Sequence, residues 1–207
     1  MRTAPDASGR GPRVLPARPG QAAVVIAAFT GLLYLSEAAD TVLGGALDGA
    51  GIQPREMDGL DGVLWAPLLH YGWQHLVANT VPVLVLGFFV LSAGIAQFVA
   101  VTAVVWIVGG AGTWLIAEGG YTHLGASVLV FGWMAFLLVR GFYARSAGQI
   151  TLAVMLFLLW GGMLWGVLPG TPGVSWQGHL FGALGGLLAA RLVAGAHRVR
   201  ARCTRPR

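Results

Sequence analysis

The strongest constraint in this sequence is a series of long apolar segments that contain almost no charge. Six such runs follow one another along the chain: Gln21–Leu35, Leu76–Ala93, Ile95–Ala117, Leu124–Val139, Ile150–Val167 and Leu180–Ala196. A helix needs about 20 apolar residues to cross a bilayer, so several of these runs must extend into flanking residues. None of them alternates as the strands of a membrane barrel do. The sequence therefore predicts an all-α membrane protein with six transmembrane helices.

The composition excludes an ordinary soluble domain. Only 10% of the 207 residues are charged and 56% are hydrophobic, whereas a soluble domain carries roughly 25% charged residues. The 32 glycines suit the close packing of helices in a bilayer. Cys203 is the single cysteine, so neither a disulfide framework nor a paired-cysteine metal site is expected.

The arginines predict the orientation of the chain and account for its net charge of +5, which gives no reason to expect a nucleic-acid partner. All basic residues outside the first loop fall before the first run, between the fourth and fifth runs, or in the final run and the tail beyond it: Arg2, Arg10, Arg13, Arg18, Arg140, Arg145, Arg191, Arg198, Arg200, Arg202, Arg205 and Arg207. With six spans, these three regions share one side of the membrane. The first loop, 41–66, carries four acidic residues and only Arg55. The positive-inside rule then predicts a multi-pass protein of the cell membrane with both termini cytoplasmic.

The organisation predicted from these patterns has three parts. Residues 1–20 read as a disordered cytoplasmic tail, because they are rich in proline, glycine and arginine. Residues 21–196 form the six-helix membrane domain, and residues 197–207 form a basic cytoplasmic tail. The first run resembles the core of a signal peptide, but no clear cleavage pattern follows it, so we expect a retained helix.

Polar residues are predicted to gather at one depth of this bundle. The second, fourth and sixth helices all run from outside to inside, so their first residues lie near the outer surface. These first residues include His75, Asn79, Ser127 and His179, roughly 5–10 Å below the external face. Three helices would thus bring a hydroxyl, two imidazoles and an amide into one layer.

Each of these residues also has a purely structural interpretation. A serine in a membrane helix usually bonds to a carbonyl one turn back, and an asparagine such as Asn79 can join two helices. A histidine at a helix end often lies in the polar interface, which we expect for His70, His123 and His197. All four polar residues at one depth are harder to explain in this way, and ionisable groups inside a span are functional candidates.

The chemistry of nucleophilic catalysis needs these residue types. A serine hydroxyl becomes a nucleophile when a neighbouring base takes its proton, and histidine titrates in the required range. The oxyanion of the intermediate then needs hydrogen-bond donors. His75 and Asn79 are four residues apart and share a helix face, and a first-turn amide of the fourth helix would be a third donor. Glycines at 182 and 186 would let the sixth helix approach a neighbour and bring His179 to Ser127.

Three segments resemble motifs of the rhomboid family of intramembrane serine proteases. They run from His70 to Asn79, from Gly125 to Gly132 and from His179 to Gly186. The first is similar to the second-helix motif with its His-x-x-x-Asn core, the second to the serine motif, and the third to the motif in which spaced glycines follow the base. All three occur in the order and at the spacing that the family has.

The resemblance implies a six-transmembrane-helix rhomboid-like bundle that acts as a serine endopeptidase. It implies a dyad of Ser127 and His179 without a third carboxylate, and an oxyanion hole formed by His75, Asn79 and the Ser127 amide. The residues that support the motifs are Gly125, Phe131, Gly182 and Gly186. Substrates would be transmembrane segments of other membrane proteins in the lipid bilayer, cut near the external face, with the loop 168–177 as part of a mobile cover. No metal and no organic cofactor is expected.

Two residues depart from the family pattern. Val128 stands where glycine normally follows the nucleophile, and Phe131 stands where tyrosine is common. The first external loop also lacks the Trp-Arg pair of some bacterial members. If the Val128 side chain points into the cleft, it narrows the pocket for the residue before the cut, which we expect. If it points toward a neighbouring helix, it is a packing residue.

Other functions are less well supported by the sequence. An inactive rhomboid-like protein that binds membrane helices is the main alternative, and Val128 is its chief support. A proton-linked transporter would require an inverted repeat or broken spans, which the sequence does not contain. A zinc protease would require a His-Glu-x-x-His motif, which is absent.

Overall fold

The computed structural model describes residues 12–203, with side-chain surroundings through residue 196. Six helices in this part are long and apolar enough to cross a membrane. We label them α1 (Pro19–Val42), α2 (Gly72–Val90), α3 (Ile95–Ile116), α4 (Ser127–Ala144), α5 (Ala147–Trp160) and α6 (Trp176–Cys203). The described residues contain no strand, only an isolated bridge between Ile52 and His123. The predicted all-α fold with six membrane-spanning helices is confirmed.

The helices extend beyond the apolar runs, as their lengths required. The 3₁₀ turns Leu91–Ala93 and Gly161–Val167 lengthen α2 and α5. The fourth helix begins later than its apolar run, at Ser127, because Gly125 has a φ of +127°, which no helix contains. The sixth helix begins earlier than its run, at Trp176, which places His179 in its first turn.

The two predicted tails are covered only in part. Most of the predicted tail 1–20 lies outside the described residues, and α1 begins at Pro19, a residue type favoured at the first helical position. Of the predicted tail 197–207, the backbone is described as far as Cys203, over which α6 continues. The predicted disorder of the first tail and the predicted boundary at 196 therefore stay predictions.

The fourth helix lies at the centre of the bundle. Of its residues, 67% are buried inside the protein, against 17% for the span that begins at Ala147. Trp133, Phe136 and Leu137 are fully buried, and the Trp133 Nε1–H donates to Thr102 Oγ1 of α3 at 3.1 Å. A helix that is apolar on all sides belongs in the interior, so the helix that begins with Ser127 is packed against its neighbours over most of its length.

The segment between α1 and α2 covers the end of the bundle where α2, α4 and α6 begin. It contains the 3₁₀ turns Ala46–Ala50, Met57–Gly59 and Ala66–Leu68 and the one-turn helix Gly62–Trp65. Arg55, the arginine of this loop, donates from Nη1 to the Ala117 carbonyl at 2.6 Å. Backbone bonds in both directions between Ile52 and His123, each 2.9 Å, attach the loop to the α3–α4 connection. The loop therefore fixes the backbone just before Ser127.

Candidate active site

Ser127 and His179 meet across the contact between α4 and α6. The Ser127 Oγ and the His179 Nε2 are 2.9 Å apart, within hydrogen-bond distance. On the other side of the ring, His179 Nδ1 lies 3.0 Å from the carbonyl oxygen of Gly166. A carbonyl can only accept, so Nδ1 carries the proton and Nε2 is left as an acceptor. The Ser127 hydroxyl therefore donates to His179, which is the arrangement that a general base requires.

The Phe131 ring holds the His179 imidazole in this orientation. The two rings are stacked, with centroids 4.0 Å apart and planes inclined by 8°. Phe131 lies one turn below Ser127 on α4, so the same helix carries the hydroxyl and the surface on which its partner rests. A phenyl ring in place of a tyrosine thus keeps the packing contact and loses only the hydroxyl.

Glycines allow α6 to approach α4 closely enough for this contact. A Cβ added to Gly182 would collide with the Val128 carbonyl oxygen, and one added to Gly186 would collide with the Gly132 carbonyl oxygen. A Cβ on Gly132 itself would overlap Val105 of α3 and lie 2.8 Å from the Gly182 carbonyl. The predicted close approach through Gly182 and Gly186 is confirmed, and it extends to α3.

His75 lies beside residues 124–126, the segment that leads into Ser127, which we call the serine loop. A Cβ added to Gly125 would lie 2.7 Å from His75 Cε1 and 3.6 Å from Ser127 Oγ, so the imidazole and the hydroxyl flank this glycine. The Tyr71 N–H donates to His75 Nδ1 at 3.4 Å, which leaves the proton of the neutral ring on Nε2. His75 therefore has an N–H available near Ser127.

Asn79 lies one turn further along α2 and is buried, with 7% of its surface exposed. Its Nδ2 donates to the His75 carbonyl at 3.1 Å, within the helix. An amide nitrogen carries two hydrogens, so one remains for a ligand. The four predicted polar residues thus belong to the elements expected, with Ser127, His179 and His75 in one group and Asn79 directly beneath His75.

Comparison with known proteins assigns the family. Residues 60–196, which span all three motifs, match the Rhomboid domain. The chain belongs to the rhomboid family. A relative from Mycobacterium tuberculosis (strain H37Rv) is 49% identical over 181 residues, covering 84% of this chain and 75% of the relative. A relative from Mycobacterium leprae is 48% identical over 183 residues, covering 84% and 72%. Both are named only as uncharacterized proteins.

A more distant relative bears a functional name. The Bacillus subtilis protein "Putative rhomboid protease YdcA" is 30% identical over 127 residues, which cover 60% of this chain and 63% of that protein. The rhomboid family and the six apolar helices together make this chain a multi-pass membrane protein.

His70 of this rhomboid holds the serine loop, and the sequence did not reveal that role. It was expected in the polar interface, yet it is buried, with 2% of its surface exposed; that expectation was wrong. Burial and the neighbouring His75 lower the pKa of His70 to about 3, so the ring is neutral and can accept a hydrogen bond. The Ala126 N–H donates to His70 Nε2 at 3.2 Å. The upstream histidine of the motif thus fixes the residue before the nucleophile.

His123, a second histidine expected in the polar interface, contacts the loop before α6. It is half-buried, and its Nδ1 lies 2.8 Å from the Ser175 hydroxyl. Burial lowers its pKa. This contact joins the α3–α4 connection to the loop before α6. The third, His197, lies beyond residue 196, the last residue whose side-chain surroundings the structure describes.

Val128 packs between helices. A Cβ built on Gly109 of α3 would collide with Val128 Cγ2, and one built on Gly182 of α6 would lie 3.2 Å from the same methyl group. This methyl fills the space that the two glycines leave open, which favours the packing alternative for Val128. A small cavity of about 20 Å³ is lined by Ser127, Val128 and Gly178, and it has room for about one water molecule.

Among the described residues, no three His, Cys, Asp or Glu side chains are grouped as metal ligands would be. The partners of His179 are a hydroxyl, a backbone carbonyl and an aromatic ring. What the arrangement can do is transfer a proton from Ser127 to His179.

Proposed function

We propose that this rhomboid is an intramembrane serine endopeptidase that cleaves transmembrane segments of other membrane proteins. The observation that carries the proposal is the 2.9 Å hydrogen bond from Ser127 to a His179 ring whose other nitrogen is held by the Gly166 carbonyl. A backbone carbonyl here takes the orienting role that a carboxylate has in a three-residue triad. The hydroxyl is therefore positioned to lose its proton as it attacks.

The reaction would proceed through two acyl-transfer steps. Ser127 Oγ attacks the scissile carbonyl while His179 Nε2 takes the hydroxyl proton, which gives a tetrahedral oxyanion and an imidazolium. His179 then donates this proton to the leaving nitrogen, the C–N bond breaks, and an acyl-enzyme remains. A water molecule, deprotonated by the same His179, attacks the ester and releases the second product with the regenerated hydroxyl.

Donors for the oxyanion would come from two helices. The Ser127 N–H opens α4, and first-turn amides have no acceptor within their own helix. The His75 Nε2–H and the second Asn79 N–H are the side-chain donors of α2. Removal of one donor from an oxyanion hole costs about 10²–10³ in rate, so the loss of any one of these groups should lower the reaction rate measurably.

Substrate access would be from the end at which α2, α4 and α6 begin. The arginine distribution supports an external location for this end and a cytoplasmic location for both termini. Cysteines placed at Asp58 and at Arg145 in a Cys203→Ser background test the orientation, because only the first should react with an impermeant reagent outside the cell.

The test of the activity is covalent labelling of the purified full-length protein with a fluorophosphonate probe. Such probes react with an activated serine, so the parent should label and Ser127→Ala should not. Ser36→Ala is a matched control, since Ser36 lies on α1 and not on either helix that carries the pair, and it should label as the parent does. An unlabelled parent would favour the second candidate, an inactive rhomboid-like protein that binds membrane helices, for which Val128 is the supporting observation.

A further inference from the structure

A second polar site lies at the opposite end of the bundle from Ser127. A cavity of about 460 Å³ opens there between the chain before α1, the α2–α3 connection and the ends of α4, α5 and α6. Its volume falls within the range of about 300–1,000 Å³ of small-molecule sites. The walls are apolar in part, from Phe136, Ala190 and Val193, and polar where Arg13, Arg140 and Gln149 reach in. Nothing in the proposed protease mechanism uses it.

Arg140 lines this cavity and carries a charge that has no counter-ion among the described residues. The side chain is buried, with 7% of its surface exposed. Its Nη1 donates to Ser92 Oγ at 2.6 Å and to the Phe89 carbonyl at 3.4 Å, whereas Nε and Nη2 have no hydrogen-bond partner among the residues that the structure describes. These two nitrogens form one edge of the guanidinium fork, the edge that binds two oxygens of a phosphate or carboxylate side by side. The bonds to Phe89 and Ser92 hold that edge in place.

The counter-ion of Arg140 does not come from the described part of the chain. The acidic residues there lie in the second half of α1, in the loop that follows it, or just after α3: Glu37, Asp40, Asp48, Glu56, Asp58, Asp61 and Glu118. All of these positions are at or toward the Ser127 end of the bundle. A buried charge without a partner is strongly destabilising. An anion from outside the described residues therefore suits the cavity.

Gln149 and Arg13 narrow the chemistry of that anion. The Gln149 Nε2 donates to the Arg13 carbonyl at 2.9 Å, which ties the chain before α1 to α5. The buried Gln149 Oε1 has no donor in the described part of the chain, so the ligand should offer a hydroxyl as well as an anionic group. Arg13 is exposed and lines the rim of the cavity, where it adds a second positive charge. The apolar walls leave room for a hydrocarbon chain.

We propose that this cavity binds a phosphate group that carries a hydroxyl-bearing substituent. Two sources have this chemistry: the headgroup of an anionic lipid such as phosphatidylglycerol, and a free ester such as glycerol phosphate. The phosphate would bind the unpartnered edge of Arg140, and the hydroxyl would donate to Gln149. A zwitterionic lipid without a hydroxyl, such as phosphatidylcholine, fits poorly because its ammonium group would face Arg13.

The test is native mass spectrometry of the full-length protein released from detergent with each probe. We expect phosphatidylglycerol to be retained one per chain, with at least a tenfold preference over phosphatidylcholine of the same acyl chains. Arg140→Gln should abolish the preference. Because that variant also loses the bonds to Ser92 and Phe89, Arg13→Gln is the second variant; its side chain is exposed, and it should lower retention several-fold. Arg145→Gln is the matched control at the same end and should retain the lipid as the parent does.

Glycerol phosphate added without lipid distinguishes the two sources. If it raises the melting temperature of the parent and not of Arg13→Gln, a free ester occupies the site; if it has no effect while the lipid binds, the lipid is the source. Equal retention of both lipids with no response to glycerol phosphate, or equal losses in Arg13→Gln and Arg145→Gln, would overturn the proposal. So would a parent that binds neither probe while Asp6→Asn binds both, since the chain's own carboxylate would then occupy the cavity.

Discussion

The two ends of α4 each carry a polar residue, and these residues differ in their hydrogen-bond partners and in the size of the cavity beside them. Ser127 opens the helix, and Arg140 lies roughly 20 Å further along it at 1.5 Å per residue. The Ser127 hydroxyl has its partner within the chain, and the adjacent cavity is about 20 Å³. Two nitrogens of Arg140 have no partner within residues 12–196, and the adjacent cavity is about 460 Å³.

We interpret the Ser127 end as a site arranged for a reaction and the Arg140 end as a site that lacks its anion. Catalytic groups must be held before substrate arrives, because reorganisation during the reaction raises the barrier. The stacked ring, the Gly166 carbonyl and the glycine contacts provide this order at the Ser127 end. At the Arg140 end, the described residues fix a single guanidinium nitrogen, and the rest of the cavity is open. The predictions below test how far each description holds.

The largest effect is expected from the dyad. Ser127→Ala and His179→Ala should each abolish cleavage of a transmembrane reporter while the protein still accumulates, because loss of a serine nucleophile or its base costs about 10⁶-fold. Cleavage is measured as product on gels after reconstitution, with Arg145→Gln as the control from the far end. Cleavage by Ser127→Ala at the parent's rate would end the serine-protease proposal.

The part of this site that sequence could predict consists of side chains with a fixed helical position. Ser127, His179, His75 and Asn79 each lie near the start of a helix, so their depth followed from orientation and the rise per residue. The glycines at 182 and 186 followed from the small-xxx-small pattern. The fold could also be predicted from sequence, because the length of an apolar segment is enough to identify a membrane span.

What sequence could not predict depends on backbone atoms and on side-chain direction. The Gly166 carbonyl belongs to a 3₁₀ turn after α5 and has no residue-type signature. His70 lies just before α2 and His75 in its first turn, and only their packing separates the buried acceptor from the ring beside the serine loop. The direction of Val128 depends on glycines of two other helices, and the open edge of Arg140 depends on Ser92, 48 residues away in sequence.

The second largest effect is expected from the oxyanion donors. Asn79→Ala and His75→Ala should each lower the rate of reporter cleavage by about 10²–10³ and leave fluorophosphonate labelling detectable, because the nucleophile and its base remain. Asn79→Asp is a useful companion, since it keeps the shape of the side chain and removes the donor. Parent-like cleavage in Asn79→Ala would remove Asn79 from the oxyanion hole and leave the dyad untouched.

The glycine contact gives a smaller but still measurable effect. Gly186→Ala should lower cleavage by about 10²-fold and lower the melting temperature, because its Cβ would push α6 away from the Gly132 carbonyl and displace His179. Gly195→Ala is the matched control on the same helix, where the added Cβ has nothing within 4 Å. It should be neutral or stabilising by about 0.5–1 kcal/mol. Equal behaviour of the two variants would contradict the account of close packing.

The pH dependence of stability tests the contact between His70 and the serine loop. The pKa of His70 is lowered from 6.5 to about 3 in the folded protein. Its stabilising contribution is therefore present above pH 6.5 and is lost as the pH falls toward 3, with a slope of up to about 1.4 kcal/mol per pH unit. Asp48 contributes with the opposite sign, because burial raises its pKa.

The comparison of variants isolates the His70 contribution. Gln keeps an acceptor for the Ala126 N–H but does not titrate, so the melting temperature of His70→Gln should fall less on acidification than that of the parent. The measurement is the melting temperature in detergent from pH 8 to pH 4. Identical pH profiles for the two proteins would show that His70 does not titrate on unfolding.

The smallest effect on activity is expected at Val128. Its Cγ2 methyl packs against Gly109 and Gly182, so we expect Val128→Ala to lower stability by about 1–2 kcal/mol. Val128→Gly should lower it further because glycine weakens a helix. The preference for the residue before the cut should stay the same in both variants, because the methyl fills a gap between helices. Two reporters that differ only in alanine or leucine before the scissile bond measure this preference.

Faster cleavage of the leucine reporter by Val128→Ala would mean that the side chain narrows the cleft after all. Activity in Val128→Gly with none in the parent would instead favour the inactive, helix-binding rhomboid, since valine would then be the change that removed catalysis from an otherwise complete site.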